Sequence, residues 1–191
     1  MFLEGERVRL RPFELADAPT MRRWVDDPEI VRLLGGVPYP FSLAAEEAAI
    51  REGLTNDWEH GVHLSIEAMD EGQPRLIGSI GLRQLHAEHR RALLGVLIGE
   101  REYWNRGYGE DAVRTICRYG FDDLDLHRVG LEVGAFNGRA VRCYEKVGFT
   151  IEGTWREHWF IAGRYRDVLT MGLLRHEFEA REAARSGEAS R

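Results

Sequence analysis

A glycine- and arginine-containing stretch, Trp-Asn-Arg-Gly-Tyr-Gly at positions 104–109, has the residue types that bind anions. It lies between the end of an apolar run and the start of a helical pattern at residues 110–112. Glycine allows a positive φ and the close approach of a ligand to the backbone. Successive N–H groups and the positive end of a helix dipole favour a negatively charged group. The stretch therefore predicts an anion-binding loop that leads into a helix.

Two other phosphate-binding patterns fit this stretch less well. A Walker loop requires Gly-Lys followed by Ser or Thr, and the sequence contains no such tripeptide. The dinucleotide pattern G-x-G-x-x-A fits Gly107 to Ala112, but residues 100–106 separate it from the preceding strand. The following strand ends in Gly-Ala-Phe-Asn at 134–137, without the acidic residue that would bind a ribose. A dinucleotide-dependent oxidoreductase is therefore the weaker alternative.

Strands and helices alternate around this stretch. Apolar residues at 92–99 form a nearly continuous run, which is typical of a strand covered on both faces. Helical spacing follows from Ala112 to Phe121, and alternation over 128–135 predicts another strand. This order predicts a crossover unit with two parallel strands. Further strands are predicted at 6–12, 62–69, 76–82, 149–152, 155–161 and 165–171, and further helices after Asp17, around 30–34, after Ser42 and after Asn137.

The composition is that of a soluble protein with one domain. The chain has 191 residues, of which 43% are hydrophobic and 30% charged. Its net charge of −6 argues against non-specific binding of nucleic acid, which requires a basic surface. No apolar run approaches the roughly 18 residues of a membrane span, and the N-terminus lacks the apolar core of a secretion signal. We therefore expect a cytoplasmic protein without a membrane or nucleic-acid partner.

Two further expectations concern the cysteines and the C-terminal end. Cys117 and Cys143 form no Cys-x-x-Cys or Cys/His pattern, so we predict small buried hydrophobes rather than a metal site or a disulfide. From Arg175 the sequence is dominated by Glu, Ala and Arg. We therefore predict one domain over residues 1–178 and a charged, disordered tail over residues 179–191.

Three motifs, in order, resemble those of the GNAT superfamily of N-acetyltransferases. The first is the apolar strand and loop at 95–112. The second, Asn-Gly-Arg-Ala-Val-Arg-Cys-Tyr-Glu-Lys-Val-Gly-Phe at 137–149, is similar to the family's N-x-x-A-x-x-x-Y-x-K-x-G-F helix. The third extends over 152–167, and Arg-Leu-Arg-Pro at 9–12 also matches. The resemblance covers residues 6–175 and is greatest to the branch of ribosomal-protein N-terminal and spermidine acetyltransferases.

This resemblance implies an α+β (α/β/α) fold and an acetyl-transfer reaction. The implied sheet is mixed and mostly antiparallel, with six to seven strands, a V-shaped opening between two parallel central strands, and about four flanking helices. The implied reaction transfers the acetyl group of acetyl-CoA, without a metal, to a primary amine by direct attack in a ternary complex. A non-catalytic acyl-CoA-binding or sensory domain on the same fold is the alternative, and a homodimer is compatible with such folds.

The resemblance leaves the acceptor open and assigns residues to the co-substrate. Acceptors in this branch include protein N-termini, polyamines, amino acids and aminoglycosides, and the loop at 35–41 and the hairpin at 155–165 would decide among them. The strand end offers backbone groups to the pantetheine arm, the loop offers N–H groups to the pyrophosphate, and Arg106 adds positive charge. Trp104 stands where the family has Gln or Arg, so its role is open, and Arg101 and Arg142 are weaker candidates. The assigned residues are Leu97, Ile98, Gly99, Asn105, Arg106, Gly107, Tyr108, Gly109, Glu110, Asn137 and Lys146.

Two residues are predicted to move protons. Tyr144 of the second motif is the candidate general acid, because protonation improves a thiolate leaving group. Glu132 is the candidate general base, because it is a single charged residue in an otherwise apolar strand and an alkyl ammonium must lose a proton before it attacks. Glu100 and Glu67 are weaker candidates for the base. Cys143 as an acyl-accepting nucleophile is disfavoured, because the sequence places no histidine base beside it.

Overall fold

An eight-stranded sheet forms the centre of the fold, with helices on both of its faces. The structure is a computed structural model that describes residues 2–36, 38, 40, 42–52, 56–70 and 73–189. The strands are β1 (Leu3–Glu4), β2 (Val8–Pro12), β3 (Val62–Ala68), β4 (Arg75–His86), β5 (Arg91–Ile98), β6 (Arg128–Gly134), β7 (Thr150–Ile161) and β8 (Arg164–Leu174). The helices are α1 (Ala18–Val25), α2 (Pro28–Leu33), α3 (Leu43–Glu52), α4 (Tyr108–Asp122), α5 (Gly138–Val147) and α6 (Arg175–Ala189).

The sheet opens in a V between its two parallel strands. The strand order is β1-β2-β3-β4-β5-β6-β8-β7, and only β5 and β6 pair in parallel among these strands. Their pairing extends from Arg91 and Arg128 to Leu93 and Gly130 and then stops. Pairing of β5 with β4 continues as far as Ile98 on the other side. The strands therefore part after Leu93 and Gly130, which confirms the predicted V-shaped opening.

Strand alternation divides the core between the two faces of the sheet. Ala92 and Leu94 of β5 belong to the larger core, which also contains the apolar face of α4. Leu97 packs on the opposite face, in the smaller core that contains Met21 and Trp24 of α1. Because both faces of β5 are covered, its sequence is apolar without alternation, as predicted.

One buried carboxylate fixes the start of α4 to the N-terminal strands. Asp111, in the first turn of α4, is 8% exposed. Its Oδ1 accepts the N–H of Glu6 at 3.1 Å, and its Oδ2 accepts those of Arg7 and Val8 at 2.7 and 3.0 Å. These bonds satisfy three backbone donors just before and at the start of β2, so they join the first turn of α4 to this strand.

The predicted ends of α5 are confirmed. Asn137 is the N-cap, and its Oδ1 accepts the N–H of Ala140 at 3.2 Å. Gly148 has a φ of 124°, and the N–H groups of Gly148 and Phe149 both donate to the carbonyl of Tyr144 at 3.0 Å. A glycine stop of this kind fixes the last turn of the helix, which carries Tyr144.

The numbers of strands and helices differ from the prediction. The sheet has eight strands rather than six to seven, because the two residues of β1 pair with β2 as an edge strand too short to show alternation. The strands predicted at 149–152 and 155–161 are one strand, β7, whose register shifts twice. The described residues contain six α-helices rather than about four. None of the described helices combines the length and apolar character needed to cross a bilayer.

The C-terminal segment is helical over most of the range predicted to be disordered. The helix α6 extends to Ala189. Phe178 is 3% exposed, and its ring centroid lies 5.3 Å from that of Phe121 in α4. Glu182 accepts a hydrogen bond from Arg114, also in α4. These contacts stabilise a segment whose composition alone indicates disorder, while the domain boundary at residue 178 stays a prediction.

Candidate active site

The opening between β5 and β6 leads into a cavity of about 400 Å³. Its walls are formed by the ends of β5 and β6, Arg83 of β4, the loop before α4, the first turn of α4, one side of α5 along its length, the end of α2, and Trp159 of β7. Segments far apart in the chain thus contribute to one cavity. Ten of the predicted site residues line it: Leu97, Ile98, Asn105, Gly107, Gly109, Glu110, Glu132, Asn137, Tyr144 and Lys146.

Three predicted co-substrate residues do not line the cavity. A Cβ at Gly99 would lie 2.1 Å from the ring of Trp24, so Gly99 allows α1 to pack on the sheet. The Arg106 guanidinium lies 5.7 Å from the ring centroid of Tyr108 and outside the cavity wall. Tyr108 itself is 2% exposed, and its hydroxyl donates to Asp70 at 2.6 Å. The Tyr108 side chain anchors the helix start, and the contribution of Arg106 to co-substrate binding stays a prediction.

Backbone N–H groups point out of the first turn of α4. Asn105 and Gly107 have φ values of 57° and 88°, so the loop turns through two left-handed residues before the helix starts. The first bonded N–H after Gly107 is that of Asp111, which donates to the Gly107 carbonyl at 2.9 Å. The N–H groups of residues 108–110 precede this bond and have no partner within the helix. They form the kind of donor set that binds phosphate oxygens.

Gly109 is free of steric constraint from the protein itself. A Cβ there would lie 3.6 Å from Ile98 Cγ1 and 3.7 Å from Cys143 Sγ, which are ordinary contact distances. The φ angle of Gly109 lies outside the left-handed region, so other residues could adopt its backbone conformation. Neither packing nor conformation therefore requires glycine at this position. The close approach of a ligand to the backbone is the remaining physical reason for it, and this fits a pyrophosphate.

Basic side chains of α5 surround the same end of the cavity. Arg139, Arg142 and Lys146 all line it, with the spacing of one helix face. Lys146 Nζ lies 3.9 Å from a carboxylate oxygen of Glu110, and Arg142 is exposed. Burial lowers the pKa of Arg139, the least exposed of the three. The sequence analysis missed Arg139 and ranked Arg142 low, although their spacing along the helix could have revealed them.

Trp104, whose role the sequence leaves open, contacts both β5 and α5. Its indole Nε1 donates to the carbonyl of Ile98 at 2.7 Å, and the Arg139 guanidinium lies 3.6 Å from its ring centroid. Trp104 therefore joins the end of β5 to the start of α5 across the cavity wall. Arg101, a weaker candidate in the sequence, pairs instead with Asp27 at 2.6 Å and lies outside the wall.

Asn137 links the two sides of the opening. Besides capping α5, it donates from Nδ2 to the carbonyl of Leu33 at 3.4 Å. Leu33 is the last residue of α2, so this contact joins the wall made by α2 to the wall made by α5. Its contact with the pantetheine arm stays a prediction.

The Tyr144 hydroxyl is placed at the cavity in a protonated form. Tyr144 lines the cavity, is 8% exposed, and packs edge-on against Phe149 with ring centroids 5.9 Å apart. Burial raises its pKa above the usual value for tyrosine. Within the described part of the chain, the hydroxyl has no hydrogen-bond partner. A protonated and unpartnered hydroxyl facing a cavity is available to donate a proton.

Glu132 is the carboxylate that fits the role of base best. It is exposed at the cavity, on the face of β6 opposite Leu131, as predicted. No ion pair or hydrogen bond engages its side chain in the described ranges. By contrast, Glu100 accepts the indole N–H of Trp24 at 3.0 Å, and Glu67 pairs with Arg9 and with a second arginine on β2.

The two cysteines behave differently from each other. Cys117 is fully buried in the larger core, as predicted. Cys143 is only partly buried and lines the cavity, which the sequence analysis missed. Burial raises the pKa of its thiol to about 12, so the reactive thiolate is scarce at neutral pH. This environment disfavours Cys143 as a nucleophile.

The walls expected to select the acceptor are partly described. Leu34 and Trp159 line the cavity, and the Trp159 ring packs on the backbone of Gly35. The predicted loop at 35–41 includes positions 37, 39 and 41, which lie outside the described residues. The α2 end and the β7–β8 hairpin therefore meet at this side of the cavity.

Potential metal ligands occur away from the cavity. Among the residues that can be described, His86, Glu88 and His89 form a group whose ligand atoms lie within 4.8 Å of one another. They lie at the end of β4 and in the turn that follows it, outside the cavity wall. The expectation of a metal-free reaction stays a prediction.

The comparisons with known proteins define the class of this protein. The acetyltransferase (GNAT) domain family matches residues 7–150, most of the chain. The chain therefore belongs to the GNAT acetyltransferases, which confirms the predicted fold class and acetyltransferase activity. The alternative of a dinucleotide-dependent oxidoreductase is not supported.

The relatives are distant in sequence, but the similarity covers nearly the whole chain. The uncharacterized N-acetyltransferase p20 of Bacillus licheniformis is 28% identical over 178 residues, 92% of this chain and 97% of that protein. Spermidine N(1)-acetyltransferase of Escherichia coli (strain K12) is 27% identical over 181 residues, 91% of this chain and 89% of that protein. The structure of spermidine N-acetyltransferase from Vibrio cholerae in complex with CoA and spermine matches with a TM-score of 0.81 and 27% identity, over 91% of this chain and 99% of that one.

Proposed function

We propose that this acetyltransferase uses acetyl-CoA and transfers its acetyl group to a primary amine by direct attack within a ternary complex. The observation that carries the proposal is the cavity in the V-shaped opening. Backbone N–H groups that can bind phosphate lie at one end of it, and the carboxylate of Glu132, which has no partner among the described residues, lies at the other. The bound CoA of the Vibrio cholerae relative supports the same assignment.

The α4 end of the cavity would hold the co-substrate. The N–H groups of residues 108–110 and the basic face of α5 suit its pyrophosphate and phosphate groups. The parted edge of β5 at Leu97 and Ile98 suits the amide groups of the pantetheine arm, as an added strand would. When bound, acetyl-CoA supplies an acetyl group activated as a thioester.

Two side chains would move the protons of the reaction. Glu132 accepts a proton from the acceptor ammonium, whose pKa of about 10.4 keeps it charged at neutral pH. The amine nitrogen then forms a bond to the acetyl carbon, and the carbon–sulfur bond breaks as Tyr144 donates its proton to the departing sulfur. The nitrogen, which still carries one proton more than the amide needs, releases it to solvent in the open cavity, and proton exchange with the same solvent restores the Tyr144 hydroxyl and the Glu132 carboxylate.

The test measures release of free CoA thiol from acetyl-CoA with a panel of primary amines, peptides and polyamines. We expect release that depends on both the protein and an acceptor, with protein alone as the control for hydrolysis. Calorimetry with acetyl-CoA measures binding separately. Tight binding without release by any acceptor would instead support the acyl-CoA-binding alternative. The homodimer stays a prediction that light scattering can test.

A further inference from the structure

An arginine and a glutamate lie on opposite sides of the V-shaped opening. Arg83 of β4 pairs with Leu93 of β5. On its other side, Leu93 pairs with Gly130 of β6, and this is the last pair between β5 and β6 before the two strands part. Alternation places Gly95 and Glu132, each two residues further along its strand, on the same face of the sheet. The Arg83 guanidinium covers Gly95, with Nε 3.4 Å from the position of a Cβ. It therefore faces the opening opposite Glu132, and both side chains line the cavity.

Neither of these charges is neutralised by a neighbour. Within the part of the chain that the structure describes, neither Arg83 nor Glu132 has an ion-pair partner within 4.0 Å. Both side chains are exposed at the cavity. The remaining charged residues of its described wall belong to α4 and α5: Glu110, Arg139, Arg142 and Lys146. The described acceptor side thus carries one cation and one anion.

We propose that the acceptor is a zwitterion, a small molecule with a primary amine and a carboxylate, and that Arg83 binds the carboxylate while the amine lies at Glu132. A guanidinium binds a carboxylate through two parallel, charge-assisted hydrogen bonds. A polyamine would instead place a second ammonium near the guanidinium, and like charges at short distance repel each other. The inference rests on the proposed function, because it names the acceptor class of the same reaction.

The wall of the same cavity also has apolar side chains. Leu34 and Trp159 line it, and Trp159 is held by its packing on Gly35. A cavity with both an apolar wall and two opposite charges suits a short hydrocarbon linker between the charged ends of one molecule. The bonds made and broken are those of the proposed reaction, and Arg83 keeps its charge throughout.

The experiment compares acceptors that differ only in the carboxylate. The pairs are propylamine with β-alanine and butylamine with 4-aminobutyrate, assayed by release of CoA thiol, with spermidine as a third kind of acceptor. We expect the carboxylated member of at least one pair to have a kcat/KM higher by about tenfold to a hundredfold, the range for hydrogen bonds between charged groups. Alkylamines or spermidine as the better acceptors would overturn the proposal.

A substitution assigns the preference to Arg83. In Arg83→Gln, the ratio of kcat/KM between the members of a pair should fall to about one, and Arg83→Lys should restore part of it, because a lysine binds carboxylate without the two-bond geometry. Arg142→Gln removes another exposed arginine of the same cavity, at the α5 end. That variant should keep the ratio even where it weakens binding of acetyl-CoA. An unchanged ratio in Arg83→Gln would contradict the assignment.

Binding provides a readout that is independent of turnover. With CoA present, calorimetry should detect binding of the carboxylated acceptor to the unmodified chain. In Arg83→Gln, the Kd for this acceptor should rise by about tenfold or more. The assay distinguishes a failure of this inference from a failure of the proposed function. Thiol release without preference for carboxylated acceptors overturns the inference alone, whereas no release with any acceptor overturns both.

Discussion

The two ends of the cavity are built in different ways. At the α4 end, the groups that face the cavity are backbone N–H groups in one continuous stretch, with basic side chains of one helix beside them. At the other end, they are the side chains of Arg83 and Glu132, which belong to different strands and have no partners among the described residues. The α4 end depends on the path of the backbone, and the other end depends on individual side chains.

This difference predicts which changes each end tolerates. The backbone donors are fixed by residues outside the cavity, above all by Asp111 and its three bonds to the N-terminal strands. Side chains such as Arg83 can be exchanged without moving the backbone, so the acceptor end can change its specificity while the α4 end stays the same. The following variants test this comparison.

The largest effect is expected at Tyr144, which also lines the cavity. Tyr144→Phe removes the proposed general acid, and general acid catalysis contributes about a hundredfold or more, so kcat should fall by that factor. The Kd for acetyl-CoA from calorimetry should stay nearly the same, because the ring and its packing on Phe149 are kept. An unchanged kcat would remove Tyr144 from the mechanism.

The next effect is on stability and comes from Asp111. Asp111→Asn leaves at most one acceptor oxygen for three backbone donors, so we expect a loss of about 2–4 kcal/mol in the free energy of unfolding, measured by urea denaturation. Asp122→Asn changes an exposed residue at the other end of α4 and is the matched control. Equal stability of the two variants would show that the carboxylate does not hold the helix start.

Gly109→Ala separates ligand approach from protein packing. Because a Cβ there meets only ordinary contacts at 3.6 and 3.7 Å, the melting temperature should stay close to that of the unmodified chain. Affinity for acetyl-CoA should fall by about tenfold, the equivalent of one or two weakened hydrogen bonds. Gly138→Ala, at the start of α5 and outside the cavity wall, is the control. Full affinity in Gly109→Ala would contradict a backbone cradle at this residue.

The smallest effect concerns Asn137 and compares two variants. Asn137→Ala loses the cap of α5, which costs about 1 kcal/mol of stability, whereas Asn137→Ser keeps a capping oxygen and should be nearly as stable as the unmodified chain. If the side chain also contacts the pantetheine arm, both variants should bind acetyl-CoA more weakly. Full affinity in the serine variant would limit Asn137 to its structural roles.

Much of the α4 end of the cavity could be predicted, because its turns and helix ends depend on residues that are neighbours in the sequence. The turn at Gly107, the cap at Asn137 and the stop at Gly148 each follow from the backbone conformation of one or two residues. The helix periodicity then placed Tyr144 on the buried side of α5. Arg106, by contrast, does not line the cavity, because residue type and position do not determine the direction of a long side chain, and its role toward the co-substrate stays a prediction.

The sequence by itself determined the order of the elements, the parallel pair, the anion-binding turn and, through its motifs, the class of reaction. Only the tertiary structure decided where β5 and β6 part, that Trp104 bonds to the end of β5, and that α6 packs on α4. It also brought Arg83 to the opening opposite Glu132. Turns and caps depend on neighbouring residues, whereas these contacts depend on strand register and packing between distant segments, which no local pattern records.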